Sequence, residues 1–325
     1  MTHSLHVLIA ACGQPEALRQ TLHSLAVCAK SASYAGTIVV ENGPRAGLDQ
    51  VVAEFPSAHQ FSYQYSQPPN KSLALNRVLA GLSDSLVVFT DDDVSVQGQT
   101  LAAYANHAAG KSGGEFYGGP IVPRYEEGPP PAWLVPLLPR TAGGWRMPVD
   151  KPAEIQQPEF VGPNFAAFAA DILRVGGFDA RLGPGAHLVS PGEDTEIQAR
   201  LLAAGVRGYY LPDAEIHHRV QRRASGVEFA VHRAERNGIY WGIDRARRRG
   251  FVPRGWLKVY GQWLNDRLRI RRWRRGGEEP LRVRAECLAA RWRGRWRGIQ
   301  LGWNWDRQAP WDELTRAAPH QRRAA

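Results

Sequence analysis

Short solid apolar runs alternate with stretches in which apolar residues recur every three or four positions along the first ~120 residues, the signature of strands and helices in turn and hence of a largely parallel sheet wrapped by helices. Leu5–Ala11 reads as a buried strand. Pro15–Val27 reads as a helix, with Leu18, Leu22 and Leu25 on one face and Pro15 in its first turn. Thr37–Glu41 predicts a second strand closed by the turn cluster Asn42-Gly43-Pro44, and Phe61–Tyr65 alternates like a third. Asn70–Leu82 carries Leu73, Leu75, Val78, Leu79 and Leu82 at helical spacing, and Leu86–Thr90 is a fourth strand running straight into Asp91-Asp92-Asp93.

The pattern then breaks. Pro120–Pro158 is rich in proline and reads as a long irregular loop. Regular signals return at Phe160–Ala170, with a short helix over Asp171–Val175 and a better marked one from about Pro191 to Ala204. Ser190 and Glu193 are spaced as a capping box for that helix, with Pro191 in its first turn and Gly205 just past its end. A strand at Val206–Leu211 and an extended piece ending in His217-His218 follow, and the chain beyond Arg219 reads as polar helix.

Charge divides the chain in the same place. Residues 219–325 hold 27 Lys+Arg against 10 Asp+Glu, a net +17, which leaves 14 against 21, or −7, for residues 1–218. Nine of the eleven tryptophans also lie beyond residue 219, so a basic, aromatic module follows an acidic one. The three cysteines, Cys12, Cys28 and Cys287, are too scattered for a disulfide framework or a zinc site, which fits a reducing compartment. The start of the sequence lacks a secretory pattern and no apolar run approaches ~20 residues, so the expectation is a cytoplasmic enzyme, if membrane-associated then only at the inner face.

Three adjacent carboxylates where a buried strand surfaces repel one another unless a cation or donor groups hold them. Ligands of α/β sheets bind at the carboxyl ends of the strands, and hard oxygen donors select Mg2+ or Mn2+ while leaving positions open for phosphate oxygens. Such a site would neutralise charge growing on a departing diphosphate. A second acidic cluster, Gly192-Glu193-Asp194-Thr195-Glu196, opens a helix, where a carboxylate has the means to take a proton from an attacking hydroxyl.

These motifs, in this order, resemble the family 2 glycosyltransferases over roughly residues 5–220. The first strand with Gln14-Pro15-Glu16-Ala17-Leu18, the run Val39-Val40-Glu41-Asn42-Gly43, and Asn70-Lys71-Ser72-Leu73-Ala74-Leu75-Asn76 are similar to the family's segments ahead of the metal-bearing strand. So is the later series Gly162-Pro163-Asn164, Gly177-Phe178-Asp179 and Gly192-Glu193-Asp194 to its acceptor side, and Tyr210–His218 to its closing strand. The resemblance implies an α/β fold of the GT-A kind, a Rossmann-like, mostly parallel sheet flanked by helices. That domain would span residues 1–222, with a basic helical extension over 223–325.

It also implies an inverting transfer of sugar from a nucleoside diphosphate sugar to a hydroxyl of a glycan or lipid-linked acceptor. Ala11, Glu41, Lys71, Asn76, Asp91, Asp92 and Asn164 would then face the donor, Asp93 and His218 would hold Mn2+ or Mg2+, and Asp194 would be the base. Glu193 would serve as a cap, and Glu196 as an exposed residue or acceptor contact. The family usually has Asp at Glu41, Gly at Ser72 and a basic residue at Leu75, where Lys71 is the substitute at hand. A nucleotidyltransferase is the alternative enzyme class, but no Gly-rich phosphate loop with a catalytic cation follows the first strand. The Arg- and Trp-rich stretches Trp256–Trp273 and Leu281–Ile299 form amphipathic helices with three open readings: peripheral membrane contact, packing on the catalytic domain, or nucleic acid.

Overall fold

The first strand shows how the core is built. The structure, a computed structural model, describes residues 3–186, 191–249 and 253–305. In β1 (Ser4–Ala11), Leu5, Val7, Ile9 and Ala11 enter one apolar layer with Leu18, Leu22 and Leu25 of α1 (Pro15–Val27), while Leu8 and Ala10 enter the other. That alternation is the two-residue period of a strand buried on both faces. β2 (Tyr34–Asn42), α2 (Leu48–Ala53), β3 (Phe61–Ser66), α3 (Lys71–Leu79) and β4 (Ser85–Asp91) follow, with α2 in the first layer and α3 in the second. Next come β5 (Val94–Val96), α4 (Thr100–His107), β6 (Glu115–Gly118) and β7 (Ile121–Tyr125), then α5 (Arg140–Gly143) and β8 (Ala153–Ile155). β9 (Phe165–Phe168), α6 (Ala169–Arg174), α7 (Glu193–Ala203), β10 (Arg207–Tyr210) and β11 (Ile216–Val220) complete the sheets. The eight-stranded sheet runs β3-β2-β1-β4-β9-β6-β10-β8, with β9 and β8 antiparallel to their neighbours, and β5-β11-β7 form a smaller sheet.

Register matters most at the ends of the central strands. Ala11 pairs with Glu41 and Ala10 with Asp91, so three adjacent parallel strands deliver Glu41, Ala11 and Asp91 to one edge. The small sheet brings the closing strand back to that edge, with His218 of β11 opposite Val94 of β5, one residue past the aspartates.

The proline-rich stretch is more ordered than its composition suggests. Ile121–Tyr125 is a strand, and it tolerates Pro123 because β7 is an edge of its sheet, where a missing N–H costs nothing. Ala153–Ile155 forms the last strand of the large sheet. The stretch from Phe160 contains β9, inserted antiparallel between β4 and β6. The helix after Pro191 begins at Glu193, so Pro191 precedes it; Ser190, expected as its cap, lies outside the described residues.

The chain divides into two compact units. One holds the described residues up to Glu126, residues 144–186 and Glu193–Val220; the other holds Glu127–Gly143, residues 191–192 and the described chain from Gln221 on. The second unit consists mainly of α8 (Val227–Arg249), α9 (Pro253–Arg275) and α10 (Glu279–Trp303). Helices α8 and α10 approach backbone to backbone: a Cβ on Gly294 or Gly298 would collide with the carbonyl oxygens of Glu235 and Ile239, and one on Gly238 or Gly242 with those of Arg291 and Arg295. Around them Leu134, Ala230, Ala234, Val283, Cys287 and Ala290 form a small core. Asp266 of α9 accepts from the Trp292 indole N–H at 3.0 Å, tying α9 to α10. Among the described residues no helix is long and apolar enough to cross a membrane.

Overpacking of that crossing is the expected effect of Gly298→Leu, with a loss of about 1–3 kcal/mol or more. Denaturant unfolding followed by tryptophan emission measures it; an unchanged midpoint would contradict the close approach.

Candidate functional site

The acidic edge is organised around one ammonium group. Lys71, in the first turn of α3, sets its Nζ 2.5 Å from Asp91 Oδ1, and the two side chains are 15% and 25% exposed. Burial alone would lower the Lys71 pKa, but Asp91, Glu193 and Asp194 outweigh it and hold the amine charged above its ordinary range. Lys71 therefore senses both acidic clusters, although some 100 residues of sequence separate them. Between them lies Gly162, whose N–H donates to Asp194 Oδ2 at 2.8 Å and whose ideal Cβ position is 3.7 Å from both that oxygen and Lys71 Nζ. Asp194 Oδ1 accepts from the Thr195 N–H at 2.7 Å, so backbone donors on both oxygens orient the carboxylate.

Asp92 and Asp93 are the costly members. Burial, with Asp93 and Asp91 alongside, pushes the Asp92 carboxyl up to about 7 despite the N–H that Cys12 donates to Asp92 Oδ2 at 3.2 Å. Burial and Asp91 raise Asp93 as well. Asp93 Oδ1 is 3.3 Å from His218 Nε2, and that oxygen and His218 Nδ1 are both buried without a hydrogen-bond partner. Burial lowers the His218 pKa and favours the neutral imidazole, the form that ligates metals. One carboxylate and one imidazole with orphaned buried atoms suit a divalent cation that keeps open positions, and the nitrogen donor favours Mn2+ over Mg2+. Among the described residues no cluster of three or more His, Cys, Asp or Glu is placed to hold a metal, so such a cation needs oxygens from elsewhere to complete its shell. His217 points away, 2.9 Å from Glu215 and accepting from Arg124 at 3.2 Å.

Glu41 is fully buried at the end of β2 rather than a solvent-facing carboxylate. Its oxygens accept from the Ala46 N–H at 2.7 Å and from the Tyr63 hydroxyl at 2.5 Å. Ala11 accepts from the Asn42 amide at 3.2 Å.

Two residues expected at the donor are engaged within the fold. Asn76 exchanges two bonds with the Phe178 backbone, each 2.8 Å, and is part of a row in which Asn70 donates to Ala180 at 2.8 Å, Ser72 to Leu182 at 3.0 Å and the Lys71 N–H to Pro184 at 3.1 Å. One edge of α3 is thus stitched to the segment 178–184, and Leu75 lies in the core. Asn164 is spent likewise: its amide donates to Pro120 and Ala214 at 3.0 and 2.8 Å, and its Oδ1 accepts from buried Tyr104 at 2.6 Å. Glu196 is buried against Arg200 at 2.6 Å, which corrects its expected exposure, and Arg200 also donates to Gly177 at 2.6 Å. Glu193, expected as a cap, is buried at the first position of α7 beside Gly183, and burial with Asp194 next to it raises its pKa.

A lock behind the triplet was not visible in the sequence. Thr21, on the core face of α1, donates to the Asp92 carbonyl at 2.8 Å and accepts from the Val94 N–H at 3.1 Å. Arg219 donates to Thr21 at 2.9 Å and to Ala17 at 2.6 Å, while its N–H reaches the Asp93 carbonyl at 2.9 Å. The one available signal was the position of Arg219 directly after His218.

The model of the family described as Glycosyltransferase like family 2 matches residues 3–239. Among solved structures, the mannosyltransferase PcManGT from Pyrobaculum calidifontis, in complex with GDP-Man and Mn2+, superposes with a TM-score of 0.59 at 16% identity, covering 92% of this chain and 88% of that one. The crystal structure of GalNAc-T7 with UDP, GalNAc and Mn2+ gives a TM-score of 0.52 at 12% identity over 77% of this chain; it is matched over only 52% of its own length. At these identities the two structures speak to the fold, which is that of the GT-A glycosyltransferases. No curated protein matches the chain. With carboxylates gathered at the strand ends of its sheet and a family match running from the first strand into α8, the chain belongs to glycosyltransferase-like family 2.

Proposed function

We propose that the protein is an inverting glycosyltransferase that moves a sugar from a nucleoside diphosphate onto a hydroxyl of a glycan or lipid-linked acceptor. The observation that carries the reading is the shared ammonium: Lys71 sits within the field of both a phosphate-facing carboxylate, Asp91, and a second cluster that includes Asp194. A donor diphosphate and an acceptor hydroxyl placed against these two clusters would be neighbours.

In this reading Ala11 and buried Glu41 border the nucleoside, and Asp91, Asp92 and Lys71 face the ribose and phosphates. Asp93 and His218 are the residues that would hold Mn2+, or Mg2+, which would supply neutralisation of charge on the departing diphosphate. Asp194, oriented by Gly162 and Thr195, takes the proton as the acceptor oxygen forms its bond to the anomeric carbon. The bond from that carbon to the diphosphate oxygen breaks on the opposite face, which inverts the configuration. Asn76 and Asn164 act as positioning residues, one holding the 178–184 segment and the other the strand junction near Pro120. The acceptor side is proposed to be the first turn of α7, residues 193–196, and the second unit to contact a membrane that carries a lipid-linked acceptor.

Separable losses are expected from the two carboxylates. Asp93→Ala should weaken Mn2+-dependent binding of nucleoside diphosphates roughly tenfold or more in calorimetric titration. Asp194→Asn should leave that binding intact and lower turnover by about 10² to 10⁴. Normal transfer by Asp194→Asn would rule out its role as base. Lys71→Met removes the cation that, among the described residues, pairs with Asp91 and should lower the stability of the metal-free protein by about 3 kcal/mol in a thermal melt, with Mn2+ recovering part of it; an unchanged melt would contradict the central place given to Lys71.

A further inference from the structure

We propose that the exposed face of α9 is a docking surface for anionic phospholipid headgroups, with the helix lying in the plane of the bilayer surface. Leu257, Tyr260, Leu264 and Leu268 are spaced three or four residues apart, which puts them in one stripe along the helix. They are 70, 51, 42 and 63% exposed. The opposite stripe, Val259, Trp263, Asp266, Ile270 and Trp273, is the one turned inward, with Val259 and Asp266 buried and Asp266 bonded to Trp292. An unpartnered row of leucines on a helix that already packs by its other side needs an apolar occupant.

Charge identifies that occupant. Lys258, Arg269 and Arg272 flank the stripe on one side and Arg267 and Arg274 on the other, and Arg271 and Arg275 continue it into the last turn; all are exposed. Asp266 is the helix's only acid, and it faces inward. The flanking cations are placed to meet phosphates while the leucines enter the acyl boundary, the division of labour of an interfacial helix. A nucleic acid backbone would use the arginines but give the leucines nothing to contact. Since no described helix can span a bilayer, α9 would hold the chain on the surface. The inference does not depend on the sugar-transfer reading, because vesicle binding is measured without donor or acceptor.

The test is co-sedimentation of the full chain with vesicles of phosphatidylglycerol and phosphatidylcholine, against phosphatidylcholine alone. The wild type should bind the anionic vesicles selectively, and Leu257→Gln/Leu264→Gln/Leu268→Gln should reduce the partition roughly tenfold or more with an unchanged circular dichroism melt. Because the three leucines are exposed, the substitutions should not disturb folding. Absence of wild-type binding to anionic vesicles, or full binding by the triple variant, would overturn the proposal. So would displacement from vesicles by a DNA duplex at equal phosphate concentration, with the triple variant binding that duplex as the wild type does.

Discussion

Everything at the edge of the large sheet depends on how one ammonium offsets a crowd of carboxylates. Asp91, Asp92, Asp93, Glu193 and Asp194 are brought to the strand ends and the start of α7, where burial raises the pKa of Asp92, Asp93 and Glu193. Lys71 pairs with Asp91 and feels Glu193 and Asp194. Arg219 and Thr21 fix the backbone of the triplet from behind without touching its carboxylate oxygens. The result is a preorganised acidic cluster in which carboxylates outnumber the cations paired with them. Such a site is costly in the empty protein and gains most when a cation arrives with its phosphates.

The elements that a local pattern determines were readable from sequence. Buried strands such as β1 and β4 show as solid apolar runs, and helices between them imply parallel neighbours, while the register that aligns Ala11, Glu41 and Asp91 is a finding of the structure. The family resemblance singled out His218, and the structure puts His218 at Asp93 and His217 on the other side. Where tertiary contacts decide, the sequence was silent or misleading. The amides of Asn76 and Asn164 look like ligands in a motif, yet each is consumed by backbone groups about 102 or 44–50 residues away. Glu196 reads as an exposed helical acid because its partner Arg200 and the carbonyls that Arg200 also binds come together only in the fold. Proline density suggested a loop through residues 121–125 because a tally of prolines takes no account of edge strands.

The second unit obeys different rules. Its excess of arginine obscured a helix crossing made by glycines, since Gly238, Gly242, Gly294 and Gly298 are dispersed in helices rich in polar residues. With α8 and α10 committed to each other, α9 is left with one face packed and one open, and it is the open one that concentrates leucine and arginine. The family match ends within α8, so the stretch that carries this face lies beyond the part shared with the family.

Diffraction at the manganese absorption edge from crystals grown with Mn2+ and a nucleoside diphosphate tests the central claim most directly. A single anomalous peak is expected within coordination distance of Asp93 and His218 Nε2, with the remaining ligands drawn from the diphosphate and Lys71 still beside Asp91. A peak elsewhere, or a bound nucleotide with no metal at Asp93, would contradict it.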